Sequence, residues 1–173
     1  MKLKTILMLL ALMMGAFTFV ACGEDDEQQP QDQGKTSETN KEVVGTYKGW
    51  THLTTNFIDK VYDEDTLSLA VADDGTLMAT FKNKIWGTAT INGIQSSKIA
   101  AGEGFKLENG EGSFVMNNPR DSSTQEFSCK LDYATISADK TQMTAVIIAN
   151  MTTAGAHGEM TFTFQTGDMP TEE

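Results

Sequence analysis

The feature that most constrains the fold is a period-two alternation of apolar and polar residues. Residues 67–71 are Leu-Ser-Leu-Ala-Val, residues 73–75 are Asp-Asp-Gly, and residues 77–81 are Leu-Met-Ala-Thr-Phe. Successive side chains of a strand point to opposite faces, so each alternating segment is typical of a half-buried β-strand. Asp-Gly tolerates the positive φ of a type I′ turn. The segment therefore predicts a β-hairpin with a type I′ turn.

The same pattern recurs along most of the chain. Residues 43–167 contain one proline, Pro119, and no long segment with apolar residues at helical spacing. Asn109-Gly110 predicts a second hairpin between two short apolar segments, and residues 138–140 predict another turn. Further strands are predicted at 44–53, 88–94, 105–107, 114–116, 127–136, 143–151 and 160–164, and the count is about eight.

About eight short strands in sequential hairpins, each with one apolar face, determine the expected fold class. The prediction is all-β: a single eight-stranded antiparallel up-and-down β-barrel, with a β-sandwich as the alternative. The chain contains 23 threonines, which suit pleated surfaces better than helices. A closed barrel has no free strand edge for another chain to pair with.

The N-terminus predicts export. Residues 1–21 combine Lys2 and Lys4 with an apolar run at 6–20 and a small residue, which is the pattern of a removed signal peptide. Phe19-Val20-Ala21-Cys22 resembles the lipobox of bacterial lipoproteins. This resemblance implies that Cys22 is the lipidation site. Its two or three acyl chains would give stable anchoring and make the membrane a partner.

The segment after Cys22 is strongly polar. Residues 23–41 contain no large apolar side chain, so 22–41 is predicted to be a disordered acidic tether. The acidic cluster at 24–27 resembles the surface-export signal of lipoproteins from Bacteroidetes-type bacteria. The predicted location is the outer membrane, lipid-anchored and surface-exposed, with its periplasmic face as the alternative. The β-barrel domain is predicted at 42–167 and a short tail at 168–173.

Charge argues against several classes of partner. The 173 residues carry a net charge of -11, which becomes -13 when 1–21 and their two lysines are removed. Such a chain repels phosphate backbones, so no nucleic acid is expected as a partner. Two cysteines and two histidines argue against a disulfide framework and a Cys/His zinc site. We expect no metal and no cofactor.

Few residues suggest chemistry. His52 and His157 lack a second ligand or a catalytic partner at recognisable spacing, so no enzyme and no catalytic residue is predicted. Asp63-Glu64-Asp65 lacks the spacing of an EF-hand, which favours a solvated loop over a calcium site. Cys129 alternates with apolar neighbours and is predicted to be a small buried hydrophobe.

Four segments carry a family resemblance. Val44-Gly45-Thr46-Tyr47-Lys48-Gly49, residues 87–94, residues 104–107 and residues 160–164 together resemble the calycin-like β-barrel domain of Bacteroidetes-type lipoproteins. The similarity covers about 43–167, and Gly45-Thr46-Tyr47 is similar to the Gly-x-Trp of lipocalins. It implies an eight-stranded barrel that binds a small apolar ligand and has no established catalytic residues. Asp65-Thr66-Leu67 resembles the O-glycosylation signal of the same bacteria.

The aromatic residues are the candidate ligand-binding residues. A side chain at the barrel mouth would wall an apolar pocket or stack on a sugar. Phe81, Phe162 and Phe164 are instead expected to fill the core, because an eight-stranded barrel has room for packed side chains or one small ligand. The ligand-binding candidates are Tyr47, Trp50, Trp86 and Tyr133.

Two functions of different class remain. The first is a cell-envelope lipoprotein that binds a small apolar ligand, with small residues such as Ala79, Ala145 and Ala149 lining a cavity. The alternative is a non-enzymatic, adhesin-like or inhibitor-like interaction module with an unknown protein partner. That module would expose an apolar or aromatic patch on its surface.

Overall fold

A computed structural model describes residues 33–118, 121–151 and 158–170. These described residues form one α-helix, nine β-strands and a short 3₁₀-helix, Ala100–Gly102, that follows the fourth strand. The elements are α1 (Gln33–Glu42), β1 (Gly45–Thr54), β2 (Asp59–Val71), β3 (Leu77–Asn83), β4 (Gly87–Lys98), β5 (Phe105–Glu108), β6 (Gly110–Asn117), β7 (Thr124–Ile136), β8 (Met143–Asn150) and β9 (Glu159–Thr166).

The strands form a closed antiparallel barrel. Apart from β5 and β6, which both pair with β4 and β7, each strand pairs with its neighbours in the chain, and β1 also pairs with β9, from Gly49 opposite Thr166 to Thr54 opposite Thr161. This last pairing joins the first strand to the last, so the sheet has no free edge. The predicted eight-stranded up-and-down barrel is therefore confirmed, and the sandwich alternative is not.

The ninth strand arises because β5 and β6 occupy one position in the barrel. Both lie between β4 and β7. β5 and β6 pair with β4 in one continuous register, since Phe105 of β5 lies opposite Lys98 and Glu111 of β6 lies opposite Asn92. Only Asn109, at φ 65°, interrupts the strand. The predicted hairpin at Asn109-Gly110 is therefore wrong. A type I′ turn needs positive φ at two residues, and here Asn109 alone adopts it.

The turn between β2 and β3 also differs from its prediction. The Gly75 amide donates to the Ala72 carbonyl at 2.9 Å, and only Gly75 has a positive φ, 83°. This is a type I turn followed by a left-handed residue, not a type I′ turn. The Asp74 carboxylate stabilises it by accepting hydrogen bonds from the amide and hydroxyl of Thr76.

Aromatic rings fill the centre of the barrel. Phe81, Phe114, Phe162 and Phe164 are fully buried. The ring centroids of Phe81 and Phe162 are 5.4 Å apart, and those of Phe114 and Phe162 are 5.0 Å apart. Such tilted contacts are favourable for aromatic pairs. The prediction that Phe81, Phe162 and Phe164 are core residues is confirmed.

A bulge on β2 changes which residues face inward. Gly49 lies opposite Asp65 but Thr51 lies opposite Tyr62, so two residues of β2 face one residue of β1. Glu64, at φ 58°, is the additional residue. On either side of the bulge, Asp65 and Tyr62 both point toward the interior.

Helix α1 replaces part of the predicted tether. Residues 33–41 are helical, whereas 22–41 was predicted to be disordered. The segment is ordered by Asn40, whose side chain is buried against the barrel, and by Val43, which is fully buried. The prediction missed this because α1 docks through an amide side chain and has no apolar stripe. The predicted signal peptide 1–21, the lipidation site Cys22 and residues up to 32 lie outside the described residues.

Candidate functional site

The two ends of the barrel are built differently. At one end, the Asn40 side-chain amide donates to the Gly75 carbonyl at 2.8 Å, and its oxygen accepts from the amide and hydroxyl of Ser96 at 2.9 and 2.7 Å. These hydrogen bonds hold α1 across that end. At the other end, the β1–β2 hairpin extends beyond β3, because the pairing of β2 with β3 begins only at Thr66.

The end beneath the β1–β2 hairpin is surrounded by half-buried apolar side chains, and we call it the mouth. Strand directions bring the residues before β2, after β3, at the end of β6 and after β8 to this end. Each of these side chains packs against the core while remaining partly exposed. The mouth residues are Ile58, Tyr62, Trp86, Met116 and Met151.

Beneath the mouth lies a buried polar cluster of Thr51, Asp65 and Asn83. Asn83 donates its side-chain amide to Asp65 Oδ2 at 2.8 Å, and the Lys84 backbone amide donates to Asp65 Oδ1 at 3.2 Å. The Asn83 oxygen accepts from the backbone amides of Ile85 and Trp86 at 3.0 and 2.8 Å. Asp65 therefore fixes Asn83, and Asn83 fixes the turn that carries Trp86.

Burial raises the pKa of the Asp65 carboxyl above its ordinary value of 3.8. Hydrogen bonds from Thr51, Asn83 and Lys84 oppose this rise because they favour the ionised form, and the nearby charge of Asp63 adds to it. The Thr51 contact is a weak one, since Thr51 Oγ1 forms no hydrogen bond of good geometry with any described residue.

One buried polar atom at the mouth has no partner among the described residues. It is Trp86 Nε1, whereas Thr51 Oγ1, in the cluster beneath, has only its weak contact with the Asp65 carboxylate. A buried donor left unpaired costs free energy, so a native structure usually supplies it with a partner such as water or a ligand. The mouth thus combines apolar side chains with a buried hydrogen-bond donor that no described residue accepts from, which is a composition found in small-molecule sites.

The structure separates the four predicted ligand-binding residues. Trp86 lies at the mouth. Tyr47 is buried at the opposite end, where its hydroxyl donates to the Val43 carbonyl at 3.3 Å and burial raises its pKa. Trp50 is on the outer face of β1, and Tyr133 is on the outer face of β7 with 43% of its surface exposed. Only Trp86 of the four contributes to the mouth.

Trp50 instead borders an open groove of about 680 Å³ on the outside of the barrel. Lys48, Asp63, Glu64 and Asp168 also line it. Thr66, the residue of the O-glycosylation resemblance, is half-buried on the same outer face of β2. This groove has mixed charge and is distinct from the mouth.

The remaining candidates do not converge on a reactive centre. The predicted solvated loop at 63–65 is wrong, because all three residues lie within β2. Asp65 points inward, whereas Glu64 points outward and pairs with Lys84. Within the described ranges, no three His, Cys, Asp or Glu side chains form a group able to hold a metal ion.

His52 contacts Asp59 on the outer face of the β1–β2 hairpin, and His157 lies outside the described residues. Cys129 is buried as predicted, and burial raises its pKa to about 11, so its thiol is unreactive.

Sequence reasoning missed Thr51, Asp65 and Asn83. A signal was present, because Asp65 shares its position in the alternation with Leu67 and Leu69, which makes it an inward-facing residue. Thr51 has the same relation to Leu53.

No family model, no curated protein and no solved structure matches this chain. Within the described segments, no helix has the length and apolar character needed to span a bilayer. The resemblance to calycin-like lipoproteins therefore rests on the sequence segments that carry it and not on a match to a known protein.

Proposed function

We propose that this chain is a cell-envelope lipoprotein whose calycin-like barrel binds a small apolar ligand at the mouth. The observation that carries the proposal is the coincidence of a buried indole N–H, Trp86 Nε1, that has no acceptor among the described residues with five half-buried apolar side chains at one end of the barrel. Apolar walls with a few convergent polar groups are what a small-molecule site requires.

The packed core argues for a ligand at the mouth and against one deep in the barrel. Ala145 lies opposite Phe164, and Ala149 lies opposite Met160. All four of these side chains are buried, so the small residues are covered by large neighbours. A ligand that approached the mouth would meet Trp86 and Tyr62 before it reached the phenylalanine core.

Tryptophan fluorescence tests this proposal directly. The chain has two tryptophans, and the Trp50→Phe variant leaves Trp86 as the only one. Titration with the lipid extract of the protein's own host should shift the emission of Trp86, and native mass spectrometry should detect the bound species. The Trp86→Phe variant, which retains Trp50 on the outer face, is the control. An unchanged Trp86 spectrum and no retained ligand would refute binding at the mouth.

Anchoring through Cys22 is part of the same proposal. The lipobox resemblance supports it, and an acylated N-terminal cysteine would hold the barrel at the outer membrane. Metabolic labelling with a fatty-acid analogue should mark the wild type and the Cys129→Ser variant but not the Cys22→Ser variant. Protease treatment of whole cells tests surface exposure, and full protection of the barrel would favour the periplasmic face.

A second candidate is an adhesin-like or inhibitor-like interaction module. Phe57 favours it, because 96% of this side chain is exposed in the loop between β1 and β2. A large apolar residue so exposed is suited to insertion into a partner surface. If a partner is recovered from the host envelope, the Phe57→Ser variant should lose it while still binding the mouth ligand.

A further inference from the structure

Asp65 gives the interior beneath the mouth a charge preference. The buried polar residues among the described ones are Asn40, Thr51, Asp65, Asn83 and Ser96, so the described interior contains one carboxyl group and no lysine or arginine. Two lysines flank Asn83 in sequence: Lys82 is exposed, and Lys84 directs its ammonium group to Glu64 on the outside. No described interior cation is available to neutralise a buried anion.

The position of Asp65 brings this charge to the mouth. Asp65 and Tyr62 are successive inward-facing residues of β2, on either side of the Glu64 bulge, and Tyr62 is a mouth residue. Thr51 lies opposite Tyr62, and its hydroxyl contacts Asp65. Trp86 and Tyr62 also present aromatic rings, and the faces of such rings attract cations.

We propose that Asp65 makes the mouth selective for apolar ligands whose polar end is cationic, and that it disfavours fatty-acid-like anions. This inference rests on the proposed function and adds the chemical class of the ligand. A cation at the mouth is attracted by the Asp65 carboxylate, whereas a carboxylate is repelled and has no described interior counter-ion. Asp65 acts here as a specificity-determining residue.

Three probes of equal chain length test the inference: octylammonium, 1-octanol and octanoate. Trp86 fluorescence in the mature Trp50→Phe chain, at physiological ionic strength, reports binding of each. We expect octylammonium to bind most tightly and octanoate most weakly, with a difference of about tenfold or more between these two. Physiological salt limits the contribution of distant surface charges.

A matched pair of variants identifies the cause. Asp65→Asn should reduce the ratio of octylammonium to octanoate affinity severalfold and leave 1-octanol binding within about twofold. Glu64→Gln removes the same charge from the adjacent residue, but on the outer surface, so it should leave the ratio unchanged. If Glu64→Gln reduces the ratio as much as Asp65→Asn, surface charge explains the preference and the inference is wrong.

The wild-type chain provides a second measurement that does not depend on the folding of Asp65→Asn. Octylammonium affinity should fall as Asp65 becomes protonated on acidification, whereas 1-octanol affinity should not. β1 and β3 present Thr51 and Asn83 to Asp65, and neither titrates. Repeating the titration in Asp63→Asn and Glu64→Gln removes the neighbouring carboxylates, and the pKa of Lys84 lies far above the acid range because its hydrogen bond with Glu64 raises it further.

The outcomes separate the inference from the proposed function. Octanoate binding as tightly as octylammonium would overturn the charge preference and leave ligand binding at the mouth intact. Failure of all three probes to change Trp86 fluorescence would overturn both. Weaker octylammonium binding in acid, together with the predicted order of affinities, would support both.

Discussion

At the scale of single residues, the most unusual feature is a buried carboxyl group with no interior counter-ion among the described residues. Asp65 is fully buried, and it is hydrogen-bonded by Asn83 and by the Lys84 backbone amide. Burial disfavours its charged form more than these donors favour it, so its pKa is raised. An apolar residue would avoid this cost, which makes Asp65 a candidate for function rather than for stability.

The raised pKa predicts a sign for the pH dependence of stability. Between 3.8 and the raised value, native Asp65 binds more protons than unfolded Asp65, so its contribution to the free energy of unfolding falls as pH rises. Asp65→Asn lacks this dependence. Urea denaturation should therefore show that the stability of wild type relative to Asp65→Asn is greater in acid than at neutral pH.

The control for this measurement is Glu64→Gln. The hydrogen bond from Lys84 lowers the pKa of Glu64. The contribution of Glu64 to the free energy of unfolding is therefore present above its unfolded-state pKa and is lost as pH falls through its folded-state pKa. The stability of wild type relative to Glu64→Gln should therefore change with pH in the opposite direction. A pH-independent difference for Asp65→Asn would contradict the assignment.

Substitution of Phe162 tests how tightly the core is packed. It is fully buried and contacts the rings of both Phe81 and Phe114. Phe162→Ala should destabilise the barrel by about 3–5 kcal/mol, because it removes apolar contacts and leaves a cavity. Phe57→Ala, the same change at an exposed site, should cost less than about 0.5 kcal/mol. A cost below about 1 kcal/mol for Phe162→Ala, measured by chemical denaturation, would indicate a loose interior.

At the scale of elements, alternation predicted where strands lie but not where they bend. The predicted count was about eight, and each strand overlaps a predicted segment, because apolar residues on one face are needed to form the core. Alternation missed the first half of β2, where residues 59–64 are mostly polar and pair only with β1 in the overhanging hairpin. Alternation also missed the left-handed conformations of Glu64 and Asn109, because such a conformation at a single residue depends on the neighbouring strands.

Helix α1 is the element that sequence pattern could not predict. It has no apolar stripe, and its buried side chain Asn40 makes hydrogen bonds to two separate parts of the chain. Such a contact depends on the shape of the barrel end, and this is not encoded in local periodicity. The mouth was likewise only partly predictable, because its polar cluster combines residues from β1, β2 and β3.

The helix contact makes a testable contribution to stability. Asn40→Ala should reduce the free energy of unfolding by about 1–3 kcal/mol, because it leaves the Gly75 carbonyl and the Ser96 donors without their partner. Glu38→Ala, at an exposed position of the same helix, should change stability by less than about 0.5 kcal/mol. Equal effects of the two changes in urea denaturation would show that α1 is not held by Asn40.

At the scale of the whole molecule, closure and charge act in opposite directions on stability. Closure pairs each strand on both sides over most of its length, which removes edges that would otherwise promote aggregation. Residues from Glu42 onward carry 18 acidic and nine basic side chains, a net charge of -9, and this excess destabilises the compact state by self-repulsion. The same acidic surface would favour the approach of the cationic ligands proposed for the mouth.

This balance predicts the effect of salt on the barrel. The described ion pairs, such as Lys98 with Glu42 and Lys106 with Glu108, are exposed, so each contributes at most about 1 kcal/mol that salt would weaken. The repulsion among the excess carboxylates is spread over the whole surface and is also screened when the Debye length shortens from about 30 to 8 Å. Because the net charge is large, relief of repulsion should outweigh the lost pairs.

Raising the salt from about 0.01 to 0.15 M should therefore increase the melting temperature by a few degrees, since about 1 kcal/mol shifts it by roughly 4 °C in a domain of this size. A decrease in the melting temperature would instead mean that the ion pairs dominate the electrostatics of the barrel.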